Sequence, residues 1–600
     1  MGTSMAGERQ DRRTTFASFS IALIDQAPTG QALKSSPPKV LPRLQQMQLL
    51  KDLSREAGWR HLSLQSLLSV VSSLLDIAGL GLAISLLLGS GTESAASADL
   101  LKGLPLSSSM VLLVGLILAR GLIQARVAVS REWLRSGFTD RLRQQLLHEV
   151  FSASSRQLDQ IGRGDLLALL MADITRSAMS LDQALRMVQA LLAMLIYLIS
   201  VLLVGRSAAW PLLLALAATA SAALLKRSGS WGLGRIQSRL NAALQRTVGD
   251  GLHGLKALRA AAAEDWLLNR FARETAKGRW LLRERVRRRV GYNAWRDTLV
   301  VAIAGLWMLM QGEALTAEVL ATTLVLAYRA GTSLSAVVQA RRLCLGSLPG
   351  YEALRERRHQ LRGNPQQASG TNLGEHTLQR LALERWSQFH WQSTDPSTAA
   401  PRSISLQPNR LVAITGASGC GKTNLLDRIS GLQDEENSCW TIHCQDTTFQ
   451  LSGLAAARQL RGLMACAPQH AVLFEASLRD NLLLGTDLAD QTIEEWLHRL
   501  GLEHLLDRHD GLDTPMSLAQ TPFSGGEIHR LGLLRAWLRN RPVDVLDEPT
   551  AFLDASASQR VREVILERSR ERLVLFSSHD PNLIQEADVV IDLTSSLLKI

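Results

Sequence analysis

Three groups of residues in this chain have the types and spacing to handle a polyphosphate. The first is Gly416-Ala-Ser418-Gly419-Cys420-Gly421-Lys422-Thr423, which follows the apolar run Leu411–Ile414 and precedes the helix-like Asn424–Ser430. Glycines let backbone N–H groups turn toward phosphate oxygens, Lys422 supplies a point charge, and the Thr423 hydroxyl suits Mg²⁺. The second is Val543-Asp-Val-Leu-Asp547-Glu548, an apolar strand ending in two carboxylates. Asp547 suits a metal-binding role and Glu548 suits the group that polarises an attacking water. The third is Phe523-Ser524-Gly525-Gly526-Glu527, a turn opening onto a helical stretch and so a second phosphate-binding helix start.

Such groups act only if strands and helices hold them. The strand, glycine loop, helix order predicts an α/β P-loop NTPase domain in the C-terminal part of the chain. At 600 residues the chain is too long for one domain. Its N-terminal half carries six long apolar segments: 64–88, 108–129, 185–205, 208–225, 298–311 (extended backwards from 292) and 315–338. Most reach the roughly 20 residues that a spanning helix requires. The connections 131–186 and 226–296 are long and rich in Arg and Lys, whereas the others carry few positive charges. Positive residues stay on the cytoplasmic side, so both termini and the ATPase domain are expected in the cytoplasm, with a multi-pass chain in the cytoplasmic membrane. The same loops account for a net charge of +11 and a pI near 9.8 without nucleic acid as a partner. The N-terminus is polar, and Phe16–Ile24 is too short to span.

The ordered motifs resemble the nucleotide-binding domain of an ABC (ATP-binding cassette) transporter. Gly416–Thr423 is similar to its Walker A loop, Pro468-Gln469 to its Q-loop, and Phe523–Glu527 to its signature. Asp547 and Glu548 are similar to the end of Walker B, Ala551–Asp554 to the D-loop, and Ser578-His579-Asp580 to the switch histidine. The resemblance implies ATP and Mg²⁺ as cofactors. It implies ATP binding by Gly416, Ser418, Gly419, Cys420, Gly421, Lys422, Thr423 and Asn424, with Asp554 nearby. Thr423, Gln469 and Asp547 would hold Mg²⁺, and Glu548, Gln469 and His579 would be the catalytic groups. It also implies that Ser524, Gly525 and Gly526 reach the γ-phosphate held by a second cassette. Alignment places His390 at the adenine-stacking position, with Phe389 and Trp391 beside it as alternatives.

Six segments ahead of one cassette resemble a half-transporter of the ABC exporter type. Leu158–Asp173 and Asp250–Asp265 are similar to that family's two cytoplasmic loops. The implied fold class is an all-α six-helix transmembrane domain followed by the NTPase. The expected domains are a disordered polar extension at 1–45, the membrane domain at 46–345, a linker at 346–372 and the cassette at 373–600. Leu41–Trp59 is expected as an amphipathic helix on the inner membrane face, with a solvated tail upstream of it. The implied activity is ATP-driven export or flipping of an amphipathic cargo, a peptide, natural product or lipid-linked molecule, with a multidrug exporter and a saccharide flippase as alternatives. A soluble ATPase acting on nucleic acid or ribosomes is disfavoured by the six segments. The implied partners are the bilayer and a second copy of the chain or a related half-transporter.

Three features depart from simple expectation. Glu527 stands where the family's signature usually has Gln, so a cation should answer it, and Arg530 is one turn on. Asp544 interrupts the Walker B strand, at its start or on an edge strand. Asp76 and Arg120 each lie about 18 Å from the outer ends of their segments, at a rise of about 1.5 Å per residue. They are expected to pair there, unless extended helices carry them into cytoplasmic water. Arg329 lies at a similar depth with no evident partner, which leaves a positive cavity suited to a carboxylate or phosphate. The five cysteines (344, 420, 439, 444 and 466) have no metal-site spacing and are expected to be free thiols.

Overall fold

The computed structural model describes residues 43–88, 106–225, 230–311, 317–362, 386–393, 402–433, 438–444, 447–507, 510–516 and 523–593. Two compact units result, one formed by residues up to 151 and 161–359, the other by 152–160 and 360–600. Of the expected extension at 1–45, residues 1–42 lie outside the described residues and 43–45 open the first helix.

The first unit is helical: α1 (Arg43–Ala57), α2 (Trp59–Leu88) and α3 (Leu106–Ser152), then α4 (Ser155–Ile161), most of which belongs to the second unit. Next come α5 (Arg163–Ala168), a π turn (Leu169–Asp173), α6 (Ile174–Gly205), α7 (Trp210–Leu225), α8 (Ser230–His253), α9 (Leu255–Ala260), α10 (Glu264–Gln311) and α11 (Ala317–Arg362). Among the described residues three stretches are long and apolar enough to cross a membrane: Ser63–Ile84, Ser107–Ser152 and Gly164–Gly205. They hold the expected segments 108–129 and 185–205 and most of 64–88. The described part of α7 has 16 residues, and Thr, Ser, Gly and Arg329 dilute the apolar run of α11.

Within the stretch 41–59, Arg43–Ala57 form α1, a helix with a packed face, because Leu49 and Leu53 are buried. It is tied down by charge. Tyr351 Oη donates to Glu56 (2.9 Å), Arg355 pairs with Asp52 (2.7 Å), and Arg358 bridges Glu56 (2.8 Å) and Glu149 (2.9 Å). Of the expected linker at 346–372, residues 346–362 belong to α11, and 363–372 lie outside the described residues. α11 continues unbroken to Arg362, with Leu348, Tyr351 and Leu354 buried. Gly234 of α8 meets Gly346 of α11 so closely that an added Cβ would stand 2.3 Å from the Gly346 carbonyl oxygen. Arg176 spans that contact, donating to the carbonyls of both glycines (2.9 and 3.1 Å).

The second unit contains β1 (Trp386–Ser393), β2 (Arg402–Leu406), β3 (Leu411–Thr415), α12 (Lys422–Ile429), β4 (Ser438–Cys444), β5 (Thr448–Ser452), α13 (Gly453–Arg461) and β6 (Met464–Ala467). It continues through β7 (Ala476–Ser477), α14 (Leu478–Leu483), α15 (Asp490–Arg499), β8 (Pro515–Met516) and α16 (Gly525–Trp537). β9 (Val543–Asp547), α17 (Ala555–Ser569), β10 (Leu573–Ser577), α18 (Pro581–Gln585) and β11 (Val589–Asp592) complete it. Five strands make a parallel sheet in the order β11-β3-β10-β9-β6, and β2-β1-β4-β5 make an antiparallel one. The parallel strands are apolar along their length because both faces are covered. Val543, Val545, Leu573 and Leu575 face Phe389, Trp391 and Trp440 in one core; Leu546, Val574 and Phe576 face Leu534, Trp537 and Ile565 in another.

Asp544 is fully buried as the second residue of the interior strand β9, so of the two expected placements it takes the strand's start and not an edge. Arg568 of α17 answers it with two hydrogen bonds (2.5 and 2.9 Å), and the guanidinium lies 5.9 Å from the ring centroids of both Trp496 and Trp537. Removing one partner of such a pair leaves a buried charge alone, at a cost of about 3–5 kcal/mol. Arg568→Leu should therefore lower the cassette's stability by at least about 3 kcal/mol, and adding Asp544→Val should restore most of it. Thermal unfolding of both variants checks this; equal losses would deny the pairing.

Candidate functional site

The parallel sheet brings the phosphate-binding residues to the C-terminal ends of its strands. β3 ends at Thr415, and the loop beyond it turns through left-handed glycines, Gly419 (φ +81°) and Gly421 (φ +96°), before α12 begins at Lys422. A side chain at either position would be strained. Lys422 is 7% exposed, and its Nζ donates to the carbonyls of Gly416 (3.1 Å) and Ala417 (3.4 Å). Its third neighbour is His579 Nε2, at 2.9 Å. Since Lys422 is a donor, Nε2 carries the lone pair there. The same imidazole lies 3.6 Å from Glu548 Oε1, so His579 stands between the loop lysine and the Walker B glutamate.

Asp547 is held from two sides. Thr423 Oγ1 donates to one oxygen (2.8 Å) and Ser577 Oγ, at the end of β10, to the other (2.5 Å). Both partners are hydroxyls; among the described residues no cation pairs with this buried carboxylate. A negative oxygen site of this kind beside Thr423 fits a hard divalent cation such as Mg²⁺. Ser577 was missed by sequence reasoning. Its carbonyl and hydroxyl also receive the backbone N–H of Glu548 (3.1 Å each), which fixes Glu548 in the left-handed region (φ +51°). Strain of this kind persists only where neighbours enforce it.

Of the three candidate rings on β1, Phe389 and Trp391 point into the core and are fully buried. His390 alternates to the other face, with Nδ1 2.7 Å from Ser405 Oγ. Gln469 follows β6 and is half-buried. His529 of α16, not foreseen from sequence, faces its backbone. His529 is buried, Nε2 lies 3.1 Å from the Pro549 carbonyl, and the ring also meets the backbones of Gln469 and Glu548. Burial pushes this imidazole below its ordinary pKa. Gln469, Glu548 and the signature helix thus share one neutral ring. Asp554 is committed to structure, since Ala557 N–H donates to its carboxylate (2.7 Å) as the cap of α17.

The signature Ser524-Gly525-Gly526 opens α16 through a capping box in which Ser524 and Glu527 satisfy each other's backbone N–H. Gly525 has open space at its Cβ position, whereas a Cβ at Gly526 would stand 3.0 Å from the Phe552 carbonyl oxygen. The expected cation for Glu527 is corrected. Arg530 donates to the carbonyls of Leu500 (2.8 Å) and Gly501 (3.1 Å), and it is His504 Nε2 that lies 2.7 Å from Glu527. Burial pushes the Glu527 carboxyl up, but hydrogen bonds from Ser524 and the His504 ring outweigh it and hold the pKa below the usual carboxylate value. The contribution to stability is therefore present at neutral pH and lost as pH falls through that depressed value.

In the helical unit the expected pair forms, with Arg120 Nη1 2.6 Å from Asp76 Oδ1. Arg329 is corrected from unpartnered to a member of the same cluster, with Nε 3.7 Å from Asp76 Oδ2. Tyr197 Oη donates to that oxygen as well (2.5 Å). All five cysteines are free, and burial pushes the Cys466 thiol up to about 12. Among the described residues no group of three His, Cys, Asp or Glu could hold a metal.

Glycine loop, Thr423–Asp547 pair and parallel sheet together define a P-loop nucleotide-binding domain. Within it, residues 400–551 match the family model of the ABC transporter. The chain is 38% identical over 188 residues to the glutathione/L-cysteine transport system ATP-binding/permease protein CydC of Escherichia coli (strain K12), covering 31% of this chain and 32% of that protein. It is 31% identical over 194 residues to the beta-(1→2)glucan export ATP-binding/permease protein NdvA of Brucella suis, covering 32% of this chain and 31% of that one. Each match thus spans about a third of the relative's length.

Glu527→Ala should lower the cassette's stability by about 1 kcal/mol, and Glu527→Gln, which keeps an acceptor for Ser524 N–H, by less than half of that. Thermal unfolding at pH 7.5 (roughly three units above the usual Glu pKa) measures both. Equal losses would place the effect in the charge and not in the cap.

Proposed function

We propose that this chain is the ATP-hydrolysing half of an exporter: a six-helix membrane domain and its cassette, working as a pair of copies to move an amphipathic cargo out across the cytoplasmic membrane. The observation that supports it best is the Asp547 site, a buried carboxylate answered by two hydroxyls beside the loop lysine. ATP held there would supply a reactive γ-phosphate, with Thr423, Asp547 and Gln469 as the Mg²⁺ ligands. Glu548 orients and takes a proton from the attacking water, while His579 and Lys422 hold the γ-phosphate oxygens. Catalysis of this kind is mainly positioning and electrostatic stabilisation.

Several features support the wider reading. The two relatives are named as transport or export ATP-binding/permease proteins. Three helices have membrane length and composition, and along them Leu67, Leu74, Val111, Leu118, Leu122 and Leu203 are exposed, as a lipid-facing surface requires. The segment 152–160 belongs to the cassette's unit although it comes from the helical half of the sequence, and Ser155 Oγ donates to the Leu432 carbonyl (3.0 Å). Such a segment is placed to carry the nucleotide cycle into the helices. Gly525 has open space at its Cβ position, which suits a signature that completes the site of a second copy.

Purified protein in lipid nanodiscs should hydrolyse ATP with vanadate sensitivity, and Glu548→Gln should reduce turnover by at least about a hundredfold, the range for loss of a general base. Absence of turnover in the unaltered chain would contradict a self-sufficient pair of copies. Turnover that survives Glu548→Gln would remove Glu548 from its role.

A further inference from the structure

We propose that the guanidiniums of Arg120 and Arg329 around Asp76 form a binding site for the carboxylate head of a small amphipathic monoanion, with Asp76 as the internal counter-ion that competes with the guest for their donors. The proposal rests on the exporter reading for its purpose but not for its geometry.

The cluster is built from four helices: Asp76 on α2, Arg120 on α3, Tyr197 on α6 and Arg329 on α11. Asp76 lies 12 residues from the C-terminal end of α2, and Arg120 and Arg329 lie 14 and 12 residues from the N-terminal ends of α3 and α11, about 18–21 Å along each helix. Two guanidiniums and one carboxylate leave a charge of +1 in apolar surroundings, among the described residues. Uncompensated charge in a membrane span is expensive and marks a ligand pathway. The exposures differ in a telling way: Asp76 is 4% exposed, whereas the side chains of Arg120 and Arg329 are 28% and 36% exposed. The carboxylate lies behind and the guanidiniums open outward. Each guanidinium has five N–H donors. The Asp76 oxygens receive Arg120 at 2.6 Å, Tyr197 at 2.5 Å and Arg329 only at 3.7 Å, and Arg120 Nε is buried with no partner. A guest carboxylate can therefore take donors that Asp76 leaves unused. A monoanion neutralises the cluster; a phosphate dianion would overcompensate it.

The helices that carry Tyr197 and Arg329 also wall an apolar cavity, a place for the apolar part of the guest. A cavity of about 390 Å³ is walled by Met194, Leu198, Leu213, Leu216, Ala330 and Leu334, all apolar. Leu198 and Ala330 directly follow Tyr197 and Arg329 in the chain. Tyr197, Ala330, Leu198, Leu213 and Leu216 belong to one apolar cluster that also includes Ile77, the neighbour of Asp76. The volume is within the usual range for small-molecule pockets.

The test is fluorescence titration of the full chain in phosphatidylcholine nanodiscs, without nucleotide, with dansyl-glycine as probe and dansyl-glycinamide as its uncharged twin. The acid should bind at least about tenfold more tightly than the amide. Arg329→Gln should remove that preference, Arg329→Lys should retain part of it, and Asp76→Asn should tighten the acid by at least about threefold, since the internal competitor is gone. Unchanged elution and unfolding temperature confirm the fold of each variant; Tyr197→Phe, which keeps all charges, replaces Asp76→Asn if that variant unfolds and should weaken the acid, since Asp76 loses a donor and draws harder on the two guanidiniums. Equal affinity for acid and amide, or a preference that survives Arg329→Gln, would overturn the proposal. Repeating the titration with phosphatidylglycerol in the nanodisc separates the sources: competition assigns the head to an anionic lipid, and undiminished binding assigns it to a solute. Because no ATP is present, failure here is distinct from failure of hydrolysis.

Discussion

The structure turns on one strand that carries a buried carboxylate on each of its faces. Asp544 and Asp547 are three residues apart on β9, so the pleat sends them to opposite sides of the sheet. Asp544 looks toward α16 and α17, where Arg568 neutralises it for good. Asp547 looks toward the glycine loop and α12, and only hydroxyls meet it. The first carboxylate is thus part of the core, and the second keeps its capacity for a cation. The surrounding parts follow from that difference. Ser577 serves both Asp547 and the Glu548 backbone, Glu548 is held in the left-handed region, and His579 bridges the space from Glu548 to Lys422.

Much of this was legible in the sequence, for a physical reason. Phosphate-binding loops and strand-end carboxylates are local in the chain, so their order and spacing survive without coordinates. Gly416–Thr423, Asp547 and Glu548 needed no partner from elsewhere to be recognised. The residues that were missed act across long separations. Arg568 lies 24 residues from Asp544, Ser577 lies 30 from Asp547, and His504 lies 23 from Glu527. Arg530 was the natural cation for Glu527 by helical spacing, but two carbonyls at the end of α15 claim it. The choice among His390, Phe389 and Trp391 could have been narrowed by strand alternation alone, because apolar Phe389 and Trp391 share one face. The spans were harder. A hydropathy pattern marks an apolar segment but not where its helix ends, and α11 runs on into the expected linker as far as Arg362.

The two halves of the molecule solve the same electrostatic problem in different surroundings. At the cassette, a buried carboxylate lacks a cation. In the helices, two buried or half-buried cations share one carboxylate. Each leaves a defined charge to be completed by a ligand of opposite sign, and each is braced by hydroxyls, Thr423 and Ser577 in one and Tyr197 in the other. On this account the ATP cycle and the anion site are linked, so that energy released at Asp547 changes what Arg120 and Arg329 can hold.

The measurement that tests this most directly is uptake of dansyl-glycine into sealed proteoliposomes whose cassettes face outward, with ATP added outside. The account predicts ATP-dependent accumulation of the acid that is absent in Glu548→Gln and in Arg329→Gln, although Arg329→Gln still hydrolyses ATP. Brisk ATP hydrolysis with no accumulation in the unaltered protein, or accumulation that ignores Arg329, would contradict it.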